Sequence, residues 1–130
     1  MTVKYLNSAE NAPEAIGPYS QAASFGNLYF LSGQIAIDPS EGKMITGGIE
    51  EQTRRVMQNL KNVLASCNLS FNNVIKTTIY LKSLSDFQSV NQIYAEWMGE
   101  CRPARATVEV AALPLNALVE IEMVAVKKND

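Results

Sequence analysis

The sequence predicts an α+β fold: a single, mostly antiparallel sheet with two helices packed on one face. Three observations predict it. Ile49, Thr53, Val56, Leu60, Val63, Leu64 and Cys67 recur at helical spacing and form one stripe. Val74, Ile75, Thr77, Thr78, Ile79 and Tyr80 form a β-rich run, and the segments 106–110 and 118–127 alternate with the period of a strand. The 130 residues are 47 % hydrophobic and 18 % charged, the composition of one globular domain spanning residues 1–130.

The elements follow in order. Val3 to Asn7 reads as a short strand, and the loop from Asn11 to Pro18 is punctuated by Pro13, Gly17 and Pro18. Tyr19 to Phe25 and Leu28 to Gln34 read as two strands joined by Gly26-Asn27, a two-residue hairpin loop. Asp38-Pro39 and Gly42 mark a turn, after which Lys43 to Thr46 is extended. The first helix runs from Ile49 to Cys67 and a strand from Asn73 to Leu81. Ser85 and Gln88 have the spacing of a capping box for the second helix, with Phe87, Val90, Tyr94 and Trp97 as its buried face. Ala106 to Val110 is a strand, Leu113-Pro114 a turn, and Leu118 to Lys127 the last strand. Segments 28–31 and 119–126 are apolar on both faces. One face packs the helices, and the other needs cover, which predicts a homo-oligomer.

Composition narrows the function. Thirteen acidic against eleven basic residues give a formal charge of −2, and the pI is about 5.2. Arg54, Arg55 and Lys61 share a helix with Glu50 and Glu51 and read as a solvated face, which argues against nucleic acid as the main partner. Two cysteines do not make a disulfide framework: Cys67 falls on an apolar stripe and Cys101 in a loop. No apolar run follows Met1-Thr2-Val3-Lys4-Tyr5, and no stretch approaches membrane-spanning length, so a cytoplasmic location is expected. There is no histidine, no metal-ligand cluster, no phosphate loop and no dinucleotide fingerprint. Chemistry here has to run on arginine, carboxylate, hydroxyl, backbone and water.

The run Arg102-Pro103-Ala104-Arg105-Ala106-Thr107-Val108-Glu109-Val110 is the best candidate for that chemistry. Pro103 fixes its own φ and biases its neighbour toward extended backbone, so Arg105 stands at the mouth of a strand. Its planar fork matches two carboxylate oxygens. Alternation places Arg105, Thr107 and Glu109 on one face, and Glu120 and Glu122 together on one face of the last strand. Pairing of these two strands as a hairpin would bring an arginine, a threonine and a glutamate together on the face away from the helices. Each residue also has a plainer reading: Arg105 in a structural salt bridge, Glu120 and Glu122 as surface carboxylates, Thr107 as an ordinary strand residue. Ser32-Gly33-Gln34 is either a strand end or a place where a ligand meets the backbone, with Ser32 as donor. Tyr19 is either core or a hydroxyl seeking a partner, and Asn91 either a bridge to a loop or solvent-facing.

Several of these residues belong to a longer pattern. Asn11-Ala12-Pro13, Ile16-Gly17-Pro18-Tyr19-Ser20-Gln21-Ala22, Ser32-Gly33-Gln34, Phe87-Gln88-Ser89-Val90-Asn91 with Tyr94, Pro103-Ala104-Arg105, Leu113-Pro114 and Val119-Glu120-Ile121-Glu122 occur in this order over nearly the whole chain. Together they resemble the RidA (YjgF/UK-type) family of reactive-intermediate deaminases. The resemblance implies a chorismate-mutase-like fold, a homotrimer with clefts between subunits, and hydrolysis of 2-imino acids or 2-aminoacrylate to 2-keto acids and ammonia. The substrates implied are 2-iminopropanoate and 2-iminobutanoate, released by pyridoxal-phosphate dehydratases, and no cofactor is required. By the match Arg105 holds the substrate carboxylate, Glu120 sits by the attacking water, and Tyr19, Ser32, Gly33, Asn91 and Thr107 line the cleft. Thr107 stands where many members carry cysteine, so this position is not expected to supply a nucleophile. Two other readings stand beside the deaminase: a non-catalytic binder of small carboxylates, and the ribonuclease or translation-inhibitor role described for some members.

Overall fold

A computed structural model of the chain describes residues 1–128. Its strands are β1 (Lys4–Leu6), β2 (Ala22–Phe25), β3 (Leu28–Gln34), β4 (Ile37–Asp38), β5 (Lys43–Met44), β6 (Val74–Leu81), β7 (Ala104–Glu109) and β8 (Val119–Val126). Its α-helices are α1 (Ile49–Ser66) and α2 (Phe87–Met98). Six strands form one sheet in the order β1-β2-β3-β8-β6-β7, and β4 and β5 form a separate two-stranded ribbon. Every pairing in the large sheet is antiparallel except β6 with β7. The predicted α+β class and the mostly antiparallel sheet are therefore present.

The α1 stripe is the clearest link from sequence to core. Val56, Met57, Leu60, Val63 and Leu64 are completely buried, and each such side chain contributes about 1.5–3 kcal/mol of burial. The Glu51 carboxylate accepts a hydrogen bond from the Gly48 backbone N–H at 2.8 Å, satisfying a donor at the helix entrance. Cys67 is buried beneath the end of α1, as expected of a core thiol, and burial pushes its pKa up. On the same side of the sheet Ile79, Leu81, Val119, Ile121 and Met123 meet the helices. The Tyr94 hydroxyl of α2 bonds the Thr77 hydroxyl of β6 at 2.9 Å, fixing α2 to that face.

The predicted pairing of the last two strands is wrong. β7 is an edge strand that pairs with β6 alone, in parallel, with Arg105 opposite Thr77 and Thr107 opposite Ile79. β8 lies in the middle of the sheet between β3 and β6. Thr77 and Ile79 face the helices, so Arg105, Thr107 and Glu109 do too, whereas Glu120 and Glu122 lie opposite Tyr80 and Thr78 on the other face. The helix α2 accounts for this difference: a strand–helix–strand crossover returns the chain parallel to where it started.

Smaller differences are local. Tyr19 to Gln21 is not strand, because Gly17, at φ +145°, and Pro18 hold the chain in a turn. The Ser85–Gln88 capping box does not form; a short 3-10 turn, Leu84–Asp86, leads into α2, and Ser83 caps it by accepting from the Ser85 N–H. The buried residues of α2 are Val90, Ile93, Tyr94 and Met98, while Phe87 is 38 % exposed and Trp97 half-buried. The open face of the sheet carries Tyr5, Phe25, Leu28, Phe30 and Val108, between 39 and 66 % exposed.

Candidate functional site

The sequence-predicted residues fall into two groups that one chain does not bring together. The first surrounds a cavity of about 500 Å³ at the end of β3, lined by Tyr19, Ser32, Gly33 and Glu120 together with the loop 13–16 and Pro114-Leu115. The pairing of β3 with β8 slips between Leu31 and Gln34, and this irregularity holds Ser32 and Gly33. Gly33 is there because Glu120 needs the space: a Cβ on Gly33 would stand 2.9 Å from the Glu120 carboxyl carbon and overlap Oε2 outright. The Ser32 hydroxyl donates to the Ser20 carbonyl, and its N–H donates to the Gln21 carbonyl at 2.9 Å. Its hydroxyl proton is therefore already committed inside the fold.

The two glutamates differ in their partners. Glu122 accepts a hydrogen bond from the Tyr80 hydroxyl at 2.7 Å, and this bond is the main reason the Tyr80 pKa is raised. Glu120 makes no hydrogen bond among the described residues and lines the cavity. Burial, with the Glu122 carboxylate as the lesser cause, pushes its pKa above the ordinary glutamate value. Alternation alone could not separate these two residues; Tyr80 and the cavity do.

The walls are tethered by side-chain amides. Gln21, buried in the wall, donates through Nε2 to the Pro13 carbonyl at 2.9 Å. Asn62 of α1 donates to the Asn11 carbonyl at 2.6 Å. Tyr19 is half-exposed, and its hydroxyl accepts from the Ile16 N–H at 3.4 Å, so it closes the loop rather than joining the core. Asn59, fully buried on α1, donates through Nδ2 to the carbonyls of Ile35 and Ile37 at 3.2 and 3.0 Å.

The second group is built on α2 and the edge strand β7. The Arg105 guanidinium donates through Nη1 to Asn91 Oδ1 at 2.7 Å. Its carbon lies 5.1 Å from the Tyr94 ring centroid and 5.7 Å from that of Phe87. Cation–π contacts of this kind are worth about 0.5–1 kcal/mol each at exposed sites. Among the described residues Arg105 meets no carboxylate, and the ion pair is Arg54 with Glu96, at 3.1 Å. Arg105 Nε and Nη2 make no hydrogen bond among the described residues. Thr107 Oγ1 is buried without a hydrogen-bond partner among the described residues. Sequence reasoning did not assign Phe87 and Tyr94 to Arg105. The signal was present: residues 87, 91 and 94 are spaced i, i+4, i+7 and share one helix face.

Arg105 and Glu120 thus face opposite sides of the sheet. Among the described residues no group of histidine, cysteine, aspartate and glutamate is placed to hold a metal ion, and no helix is long and apolar enough to cross a membrane.

Comparisons with known proteins identify the same pattern. Residues 9–127 match the model of the family described as Endoribonuclease L-PSP. A RutC family protein of Pyrococcus horikoshii, PH0854, is 51 % identical over 97 % of this chain and 100 % of its own. The 2-iminobutanoate/2-iminopropanoate deaminase of Mus musculus is 42 % identical over 96 % of this chain and 93 % of its own. The crystal structure of TM0215 from Thermotoga maritima superposes with a TM-score of 0.93 at 48 % identity, covering 97 % of this chain and 99 % of that one.

Proposed function

This chain belongs to the RidA (YjgF/UK-type) family, within Endoribonuclease L-PSP, and on that premise we propose that it hydrolyses reactive 2-imino acids to 2-keto acids and ammonia. The substrates are 2-iminopropanoate, 2-iminobutanoate and their 2-amino-enoic tautomers, delivered in the cytoplasm by pyridoxal-phosphate dehydratases. The observation that carries the reading is the division of the site. Arg105, with N–H groups that have no partner among the described residues, is on one face of the sheet, and Glu120, without a hydrogen bond among the described residues, lines a cavity on the other. The two halves work together only when Arg105 of one copy meets Glu120 of another. The open apolar face around Phe30 and Val108 supports such an assembly, a homotrimer with three clefts between subunits.

In each cleft Arg105 takes the substrate carboxylate on its free edge, held in place by Asn91 and the rings of Phe87 and Tyr94. Thr107 lines the same side, while Tyr19, Ser32 and Gly33 line the other. Glu120 accepts a hydrogen bond from a water molecule placed against the imine carbon. The water oxygen adds to that carbon, the C=N electron pair moves to nitrogen and takes up a proton, and Glu120 receives the proton the water loses. The carbinolamine then expels ammonia: the C–N bond breaks with its electron pair going to nitrogen, which takes the proton held on Glu120, while the hydroxyl O–H pair becomes the C=O bond and the hydroxyl proton leaves to solvent, balancing the one the imine nitrogen took up. A carboxyl pKa raised by burial suits a group that must both take and return a proton near neutrality. Orientation supplies most of the remaining acceleration.

The test is a dehydratase reaction in which keto-acid release is followed with and without the protein. Arg105→Ala is expected to lose the acceleration while keeping the assembly. Refolding Arg105→Ala together with Glu120→Gln is expected to restore about a quarter of parent activity, because random mixing rebuilds that share of two-chain sites. An Arg105→Ala protein as active as the parent overturns the assignment. Keto-acid binding without turnover in the parent would instead identify a carboxylate-binding regulator. The ribonuclease reading carries less: the net charge is −2 and the sequence has no strong basic stripe.

A further inference from the structure

Glu120 does not stand alone on its face of the sheet. Glu122 follows it on the same side of β8, about 7 Å along the strand at ~3.4 Å per residue. Two carboxylates this close oppose each other's ionisation. Tyr80 treats them differently. It lies directly across from Glu120 in the pairing of β6 with β8, yet its hydroxyl reaches along the diagonal and donates to Glu122 Oε1 at 2.7 Å. The phenol has a single proton and commits it to Glu122. Glu120, opposite the same tyrosine, receives no hydrogen bond among the described residues. Both the bond and the register lie within one chain, so a second copy seated on this face does not create them.

The three groups therefore have different tasks. Glu122 is engaged by Tyr80 and does not line the cavity, so it is not the base. Tyr80 carries no proton to or from the imine: its pKa is raised, chiefly by the bond to Glu122, and its O–H stays intact. What the pair presents to Glu120 is a negative charge in a fixed place. It adds to burial, the larger cause of the raised Glu120 pKa. The other ionisable groups facing Glu120 are Glu14 and Tyr19, from the loop over the cavity. β3 contributes Ser32 and Gly33, Pro114 and Leu115 close the lining, and none of these is cationic. In the two-chain cleft the approaching cation is Arg105 of another copy. A carboxylate facing an arginine is a weak base, and a second carboxylate beside it offsets that effect.

We infer that Glu122, pinned by Tyr80, is a positioning residue for the proton transfer: its fixed charge beside Glu120 keeps Glu120 basic toward the attacking water although the substrate-holding arginine stands across the cleft. This rests on the deaminase reading for the reaction, but the effect of the charge is read on Glu120 itself. The measurement is an NMR titration of the Glu120 carboxyl carbon in the assembled protein, isotope-labelled at glutamate Cδ, with the resonance identified by its loss in Glu120→Gln. Beside it runs the pH profile of kcat/KM in the dehydratase-coupled reaction, with the dehydratase in excess. Contributions from a second copy act alike on parent and variants and cancel in each difference.

Glu122→Gln keeps the shape and the acceptor for Tyr80 and removes only the charge. Its Glu120 midpoint is expected to fall by about 0.5–1 pH unit, and the acid limb of kcat/KM to fall with it. The plateau of kcat/KM drops about two- to threefold, as a weaker base gives. Tyr80→Phe keeps the ring and frees Glu122 to turn away, so the same changes appear at smaller size. Combined with Glu122→Gln it adds nothing further, because the hydroxyl acts through the charge. A Glu120 midpoint and acid limb that stay in place in Glu122→Gln overturn the inference, even if Tm or the plateau falls, since the pair is then structural. So does a Tyr80→Phe effect that persists in full in the Glu122→Gln background. Midpoints that move as expected in a protein that turns over no imine leave the charge effect standing and overturn the deaminase reading alone.

Discussion

Gly33→Ala separates the reaction from the fold. Gly33 is outside the left-handed region, so alanine is compatible with its backbone. The new methyl would stand 2.9 Å from Glu120 Cδ and 3.1 Å from Cγ, closer than carbon atoms tolerate. Those atoms belong to the far end of a flexible side chain, and Oε2 has to move by on the order of 1 Å to clear the methyl. Swinging Glu120 to a poorer rotamer costs about 0.5–1.5 kcal/mol. Replacing glycine by alanine returns about 0.4–1 kcal/mol by restricting the unfolded chain. The two nearly cancel, so Tm is expected to stay within about 4 °C of the parent. Activity has no such compensation: a 1 Å misplacement of a reacting group costs about 10²-fold. The assay is keto-acid release in the dehydratase-coupled reaction beside a thermal melt. In a Glu120→Gln background the same substitution should cost little further activity, because both changes act on one group. A Gly33→Ala protein with parental kcat/KM would refute the placement of Glu120 at the reacting carbon, and a collapse in Tm would refute the claim that Glu120 yields cheaply.

Glu120 also sets a pH dependence of stability. Its folded pKa is raised, so the folded chain binds the proton more tightly than the unfolded chain does, and its favourable share is complete below the ordinary glutamate value. That share is lost as pH rises through the raised value. Glu120→Gln should therefore melt above the parent at pH 8, with the difference closing as pH falls through the acid range, while turnover is lost at every pH. Asn59→Ala removes the donors to the Ile35 and Ile37 carbonyls from a fully buried position, and a loss of about 2–3 kcal/mol in urea unfolding is expected. Because both carbonyls belong to residues of the cavity wall, the same variant should raise KM more than it lowers kcat.

The helices and their core were legible because helical spacing specifies a buried stripe without reference to any partner. Val56, Leu60, Val63 and Leu64 could be placed in the core from spacing alone. Strand alternation carries less. It says that Arg105 and Thr107 share a face, and Glu120 and Glu122 share a face, but not which face either pair occupies. That depends on strand order and direction, which are set by α2 as a crossover and by the loop at 110–118. Leu113-Pro114 resembles a hairpin turn, yet the left-handed Leu115 and Asn116 redirect the chain past β6 to the middle of the sheet. The family resemblance named Arg105 and Glu120 but could not reveal that one chain holds them apart.

The central position of β8 has a consequence for the order in which this protein is made. β1 to β3 can form an early antiparallel ribbon, and β6 with α2 and β7 a later parallel one, but these two assemblies have no hydrogen bonds to each other. β8 supplies both missing edges, and Leu28 finds its partner in Val126, nearly the whole chain later. On a ribosome the apolar faces of both ribbons would wait, unjoined, until the last strand emerged. Closure of the sheet is then a late, long-range event, of the kind that slows folding and leaves apolar surface exposed until β8 has been made.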